Sequence, residues 1–164
     1  MDNYICINGK KAELTTEQLK ALGIVIEKPN PFARELHTGQ VIYCISECGE
    51  LGVNYNANST HSDMIYAVAN YCTDRDLMQQ RAYRETLNRL LWRYSMENNG
   101  DKIDWSKSTQ RKYYILRDRN NFIVTWGYGC RDIFNTHFIS QGVAEAAIKE
   151  IIKPFMEAHP DFEI

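Results

Sequence analysis

The apolar positions along the chain change period several times, and each change marks an element. Tyr4-Ile5-Cys6-Ile7 is a short run of strand formers. Asn8-Gly9 behind it is a two-residue hairpin signal, because both residue types tolerate positive φ. Lys10 to Leu14 reads as the return strand. Thr15, with Gln18 three residues on, is a capping box; Leu19 and Leu22 supply an apolar side and Gly23 a stop. Residues 1–28 are thus an N-terminal ββα extension, too small to fold alone. Ile24 to Ile26 reads as a short extended piece. Glu27-Lys28-Pro29-Asn30-Pro31 excludes a helix and predicts an extended linker, the one boundary in the chain.

From Gln40 the period is that of strands. Val41 to Ile45 is a strand, Glu47-Cys48-Gly49 a turn, and Leu51 to Tyr55 a second strand. Asn56 to Asp63 is a polar loop, and Met64 to Tyr71 reads as a third strand weakened by alanines. Thr73 then caps a helix with Asp74 and Asp76 in its first turn, where the dipole favours carboxylates. Tyr83, Leu87, Leu90, Leu91 and Tyr94 follow helical spacing and predict the buried stripe, which ends near Glu97 before Asn98-Asn99-Gly100.

The order then returns. Arg111 to Leu116, Phe122 to Trp126 and Ile133 to Phe138 read as strands, separated by turns at Asp118 to Asn121 and at Gly127 to Cys130. Ser140 caps a last helix, amphipathic through Val143, Ala144, Ala147, Ile148, Ile151 and Ile152, with Pro154 to break or kink it. Tyr43-Cys44-Ile45 matches Tyr113-Tyr114-Ile115, Val53-x-Tyr55 matches Val124-x-Trp126, and Tyr71-Cys72-Thr73 matches Phe138-Ile139-Ser140. The predicted fold is α+β: mostly antiparallel sheet in two βββα pseudo-repeats, residues 38–100 and 108–164, forming one globular unit behind the extension.

Composition adds a surplus of aromatics, ten Tyr, six Phe and three Trp, and enough apolar mass to make disorder unfavourable. These rings can cover a dimer interface as readily as a core, so a homo-oligomer stays open. The five cysteines (Cys6, Cys44, Cys48, Cys72 and Cys130) are odd in number and form no CxxC, which predicts free, buried thiols. Met1-Asp2-Asn3-Tyr4 has no basic stretch leading an apolar one, and no apolar run approaches a membrane span, so the expected setting is the cytosol, away from membranes.

An N-terminal YICINGKKAELTTEQLKALGI module, aromatic strands, and capped YCTDRDLMQQRA and FISQGVAEAAIKEI helices together resemble small accessory proteins of phages and prophages of Gram-positive bacteria. The resemblance runs over most of the chain and rests on structural motifs. It implies an accessory phage protein, a class rich in inhibitors and sequestrators acting against host defence, and assigns no role to any residue.

No catalytic or cofactor motif is present: no GxSxG, HExxH, Walker A or GxGxxG. Cys44-x-x-x-Cys48 lacks a partner pair for zinc, His61-x-Asp63 reads as a solvated loop before an acid–base pair, and Asp74 with Asp76 reads as capping. No metal or cofactor is expected. The charge map says more. The net charge of −2 divides into −3 over residues 1–63, +4 over 64–119 and −3 over 120–164. The basic middle holds Arg81, Arg84, Arg89 and Arg93 on the first long helix, and Arg111, Lys112, Arg117 and Arg119 around Tyr113 and Tyr114. Arginine beside aromatic rings suits an anionic or nucleotide-like ligand, by bidentate contact and stacking. The loops after the second strands, Asn54 to His61 and Trp126 to Arg131, carry Tyr or Trp beside Asn or Gly, as recognition surfaces do.

These readings predict a non-enzymatic binding protein, with a counter-defence factor as the sharpest form. In one version it sequesters a nucleotide-like signal: Arg81, Arg84, Arg111 and Lys112 hold phosphates, Trp126 or Tyr128 stacks on a base, and Tyr113 and Arg131 complete the site. In the other it blocks a host defence protein with aromatic anchors at the loop tips. Nucleic-acid binding through the same basic segment and a small enzyme of unknown chemistry are the alternatives.

Overall fold

The computed structural model describes residues 4–7, 10–23, 30–34, 38–57, 59–100, 103–119, 121–128 and 135–163. The chain divides into two units, Met1–Ala33 and Arg34–Ile164. In the first, β1 (Tyr4–Ile7) pairs antiparallel with β2 (Lys10–Glu13), and α1 (Thr16–Ala21) follows. The capping box is as read from sequence: Gln18 N donates to Thr15 Oγ1 at 3.2 Å, and Thr15 N donates back to Gln18 Oε1 at 2.9 Å. Gly23, at φ +70°, follows the helix in the left-handed conformation that glycine adopts without strain. The predicted Asn8-Gly9 turn and the segment from Ile24 to Pro29 lie outside the described residues.

The second unit is α+β, built on two antiparallel hairpins. β3 (Val41–Ile45) pairs with β4 (Leu51–Tyr55), and β5 (Arg111–Asp118) pairs with β6 (Asn121–Tyr128). Between them run α2 (Thr60–Ala67) and the 24-residue α3 (Arg75–Asn98). After them come α4 (Gln141–Ala147), a π-helical turn (Ile148–Ile152) and α5 (Lys153–Ala158).

The expected third strands differ. Met64 to Ala67 is the last part of α2, and 68–71 are turn and irregular chain: Ser59 caps α2 by accepting from Ser62 N at 3.3 Å, and Asp63 sits in the first turn. A cap and a first-turn carboxylate outweigh the short apolar run. Only Cys72 stays extended, in a single bridge to Tyr43. In the second half, residues 133 and 134 lie outside the described residues, and Phe138 makes a single bridge to Tyr113. The helix after Cys72 is capped by Asp74, one residue beyond the expected Thr73, with Leu77 N donating to Asp74 Oδ1 at 3.0 Å. Ser140 caps α4 as expected, accepting from Val143 N at 3.3 Å. Strand register also revises the matched positions: Tyr55 lies opposite Val41, and Trp126 opposite Tyr113. The counterpart of Tyr55 is therefore Tyr128, opposite Arg111, two residues beyond the expected Trp126.

α3 carries two stripes. Met78 and Ala82 pack with Ile45 and Cys72 on the first hairpin. Thr86 Oγ1 donates to Gly49 O at 3.2 Å in the β3–β4 turn, where Gly49 has φ +88° and a Cβ would lie 2.5 Å from Thr86 Oγ1. The predicted stripe, Tyr83, Leu87, Leu90, Leu91 and Tyr94, packs on the C-terminal half with Phe138, Ala144, Ala147, Ile152, Phe155 and Phe162. Pro154 does not end the last helix. It cannot donate a backbone hydrogen bond, and the π turn before it loosens the backbone that its ring would otherwise meet. Of the cysteines whose side chains are described, Cys72 is buried and Cys44 half-buried, as read from sequence, while Cys48 is exposed on the β3–β4 turn. Among the described residues no helix is long and apolar enough to cross a membrane.

Candidate functional site at the open end of the second hairpin

Residues directly opposite in an antiparallel pair share a face. On β5–β6 that rule puts Arg111, Tyr113, Ile115, Val124, Trp126 and Tyr128 together. The inner part of this face is core: Tyr113, Ile115 and Val124 pack against Phe138, Ala144 and Ala147. The hairpin outruns its cover. At its open end Trp126 keeps 43% of its surface exposed and Tyr128 47%.

Arg111 ties this end together. Its guanidinium carbon lies 4.4 Å from the centroid of Trp126, and its Nε donates to Tyr128 Oη at 3.4 Å. Trp126 and Tyr128 meet edge to face, with centroids 5.0 Å apart. Hydrogen bonding to Tyr128, then to Tyr113, raises the Arg111 pKa still further, so its charge is permanent. Among the described residues no carboxylate pairs with Arg111. The result is an exposed cation stacked on an aromatic surface and paired with no acid among the described residues. Such a surface can take a carboxylate, a phosphate or a backbone carbonyl beside an apolar contact.

The opposite face has another role. Lys112 is only 1% exposed; its Nζ donates to Lys107 O at 2.7 Å and lies 5.7 Å from the Trp105 centroid. His137 packs edge-on to Trp105 at 5.0 Å and near Tyr114 at 5.8 Å. Lys112 thus fastens the 103–110 loop under the strand. That loop has its own knot: Asp104 accepts from Ser106 N at 2.9 Å and Ser106 Oγ at 2.6 Å, which lowers its pKa.

The eight expected binding residues therefore separate. Arg111, Trp126 and Tyr128 converge, and Tyr113 shares their face as a half-buried core residue. Lys112 lies on the other face, buried by alternation along the strand. Arg81 is a structural staple: its Nε donates to Glu85 Oε1 at 2.8 Å, and its Nη1 donates to the carbonyl of Ala69, a residue at φ +55° just past α2. Arg84 is exposed on α3 and makes no ion pair among the described residues. Arg131 lies outside the described residues. No phosphate cradle of four cations forms, because strand alternation and the Glu85 partner send two of them elsewhere. Asp63 pairs with Arg34, not with His61. Asp74 is a cap, Asp76 lies 3.6 Å from Arg75, and among the described residues no cluster of acids, histidines and cysteines could hold a metal.

Sequence reasoning missed Trp105 and His137. Trp105, an isolated aromatic in a polar connection, was the one available signal. The first hairpin has an equivalent open end, formed by Val41, Val53 and Tyr55, the last two about 60% exposed. It carries no charge. No protein-family model, no curated protein and no solved structure matches this chain.

Proposed function

We propose that this chain is a non-enzymatic binding protein that docks a protein partner on the open end of the β5–β6 hairpin. The observation that carries the reading is the exposed stack of Arg111 on Trp126, with Tyr128 beside it. Trp, Tyr and Arg are the residue types that most often dominate binding energy at protein interfaces. They are held here on a two-stranded scaffold whose inner face is packed, so little conformational freedom is lost on docking. Under the likeness to phage accessory proteins, the partner is a host defence protein and the effect is occlusion.

Sequestration of a nucleotide-like signal fits less well. It needs several converging cations, and Arg81 and Lys112 are committed to backbone carbonyls elsewhere. The test is affinity capture from lysate of the host cell with the wild type, Trp126→Ala and Trp92→Ala, the last removing an exposed ring on α3. A partner captured by wild type and Trp92→Ala but lost with Trp126→Ala is expected. A partner retained equally by all three overturns the reading, and so does a small anion held by the wild type in native mass spectrometry with no protein partner.

A further inference from the structure

We infer that the β6 edge is the docking line itself, and that it takes an extended, acidic peptide segment as an added strand; this rests on the protein-binding reading above. A residue's N–H and C=O point to the same side of its strand. Tyr113 N donates to Phe138 O at 2.9 Å and Phe138 N donates to Tyr113 O at 2.7 Å, so the polar groups of Tyr113 face away from β6. Tyr113 opposite Trp126 is therefore a pair that exchanges no backbone hydrogen bonds. The same holds for Arg111 with Tyr128, Ile115 with Val124, and Arg117 with Phe122. Phe122, Val124, Trp126 and Tyr128 thus turn their backbone groups outward along an edge that pairs with nothing among the described residues. Their side chains lie on the face of the Arg111 stack.

The second strands of the other hairpins have blunted edges, and this one does not. β2 carries Lys10, Lys11 and Glu13. β4 has five residues, and its outward Tyr55 N–H is taken by Asn54 Oδ1 at 2.8 Å. β6 runs for eight residues in unbroken register, with no charge, no proline and no bulge. An edge of that kind is a template for strand addition, in which backbone hydrogen bonds give affinity and alternate side chains give specificity.

Charge selects the occupant. Arg111, Arg117 and Arg119 stand on this hairpin against a single exposed acid, Asp118. A second copy of the chain paired edge to edge would bring these arginines together. Arg117 Nε donates to Arg119 O at 2.8 Å; an acidic segment gains from Arg111 and Arg119, and its alternate side chains would reach Trp126 and Tyr128.

The test uses four labelled eight-residue peptides: glutamate alternating with threonine, lysine alternating with threonine, and the glutamate peptide N-methylated at one alternating set of amides and, separately, at the other. Fluorescence anisotropy reads binding, and hydrogen exchange reads the β6 amides. We expect the lysine peptide to bind at least about tenfold more weakly, and only one of the two N-methylated sets to abolish binding. Exchange should slow at Phe122, Val124 and Trp126. Equal loss with both N-methylated sets, or equal binding of the glutamate and lysine peptides, overturns the inference, as does no binding at millimolar peptide. A concentration-dependent dimer with these amides already protected assigns the edge to a second copy and also overturns it. The docking reading fails separately, if a captured partner is indifferent to Trp126→Ala.

Discussion

The two hairpins of the second unit are built alike and finished differently. In each, the first strand takes one bridge from a residue that stands two positions before a helix cap: Cys72 before Asp74, and Phe138 before Ser140. In each, the helix so started covers the inner part of one sheet face, with Met78 and Ala144 fully buried four residues after the cap. Each leaves the open end of that face uncovered. There the sequences part: Val41, Val53 and Tyr55 on the first, Arg111, Trp126 and Tyr128 on the second. Shared scaffolding explains why both ends are exposed; residue chemistry, strand length and the state of the edge distinguish them. A lone apolar end needs no functional explanation, whereas an arginine held on tryptophan, beside a strand edge that pairs with nothing among the described residues, suits recognition.

The comparison can be broken first at its scaffolding. Phe138→Ala removes a buried ring and should cost about 3–5 kcal/mol, whereas Cys72→Ala, at the matching bridge, should cost only about 1 kcal/mol. Urea unfolding of both variants checks this, and equal costs would mean that the two bridges do not share a role. Next comes the chemistry. Trp126→Ala should weaken partner binding by about 2 kcal/mol, roughly 30-fold, and Tyr55→Ala should leave it within about twofold. Both variants should keep stability within about 0.5–1 kcal/mol of wild type, since both rings are exposed.

The caps sharpen the likeness. Asp74→Ala and Ser140→Ala each remove one side-chain acceptor at a helix start and should each cost about 1 kcal/mol. A marked difference between them would separate the two halves. The smallest effect is alkaline. Burial, then the Asp161 carboxylate, raises the Tyr83 pKa; burial, then the hydrogen bond to Glu150, raises that of Tyr94. A phenol whose folded pKa exceeds its unfolded value near 10 contributes its full stabilisation below that pH and loses it as pH rises through the folded value. Both tyrosines belong to the stripe of α3 that packs on the C-terminal half. The tyrosine contribution should therefore be constant through neutral pH and be lost above about pH 10, with Tyr83→Phe and Tyr94→Phe each reducing the fall there. Urea midpoints across the alkaline range measure it.

Much of this was readable from the chain. Local signals with one dominant cause held: the Thr15–Gln18 capping box, the Ser140 cap, both hairpins, and the stripe from Tyr83 to Tyr94. Where two local causes competed, the reading failed. Met64 to Tyr71 has the apolar content of a strand, but Ser59 and Asp63 start a helix ahead of it. Spacing alone could not separate α3 into two stripes, because Met78 and Ala82 serve a different partner from Leu87. At the site, alternation along β5 was enough to part Lys112 from Arg111, yet sequence offers no sign of which neighbour faces the core. The fate of Arg81 depends on a carbonyl twelve residues earlier, released by the turn after α2. Residue type indicated Trp126 and Tyr128; only register showed that they meet at Arg111.

The central claim is that the second open end docks a partner and the first does not. Its most direct test places the photo-crosslinking residue benzoylphenylalanine at position 126 in one protein and at position 55 in another, both irradiated in the same host cells. The account predicts one light-dependent adduct of defined mass from position 126 and none from position 55. An adduct from position 55 alone, equal adducts from both, or none from either would contradict it.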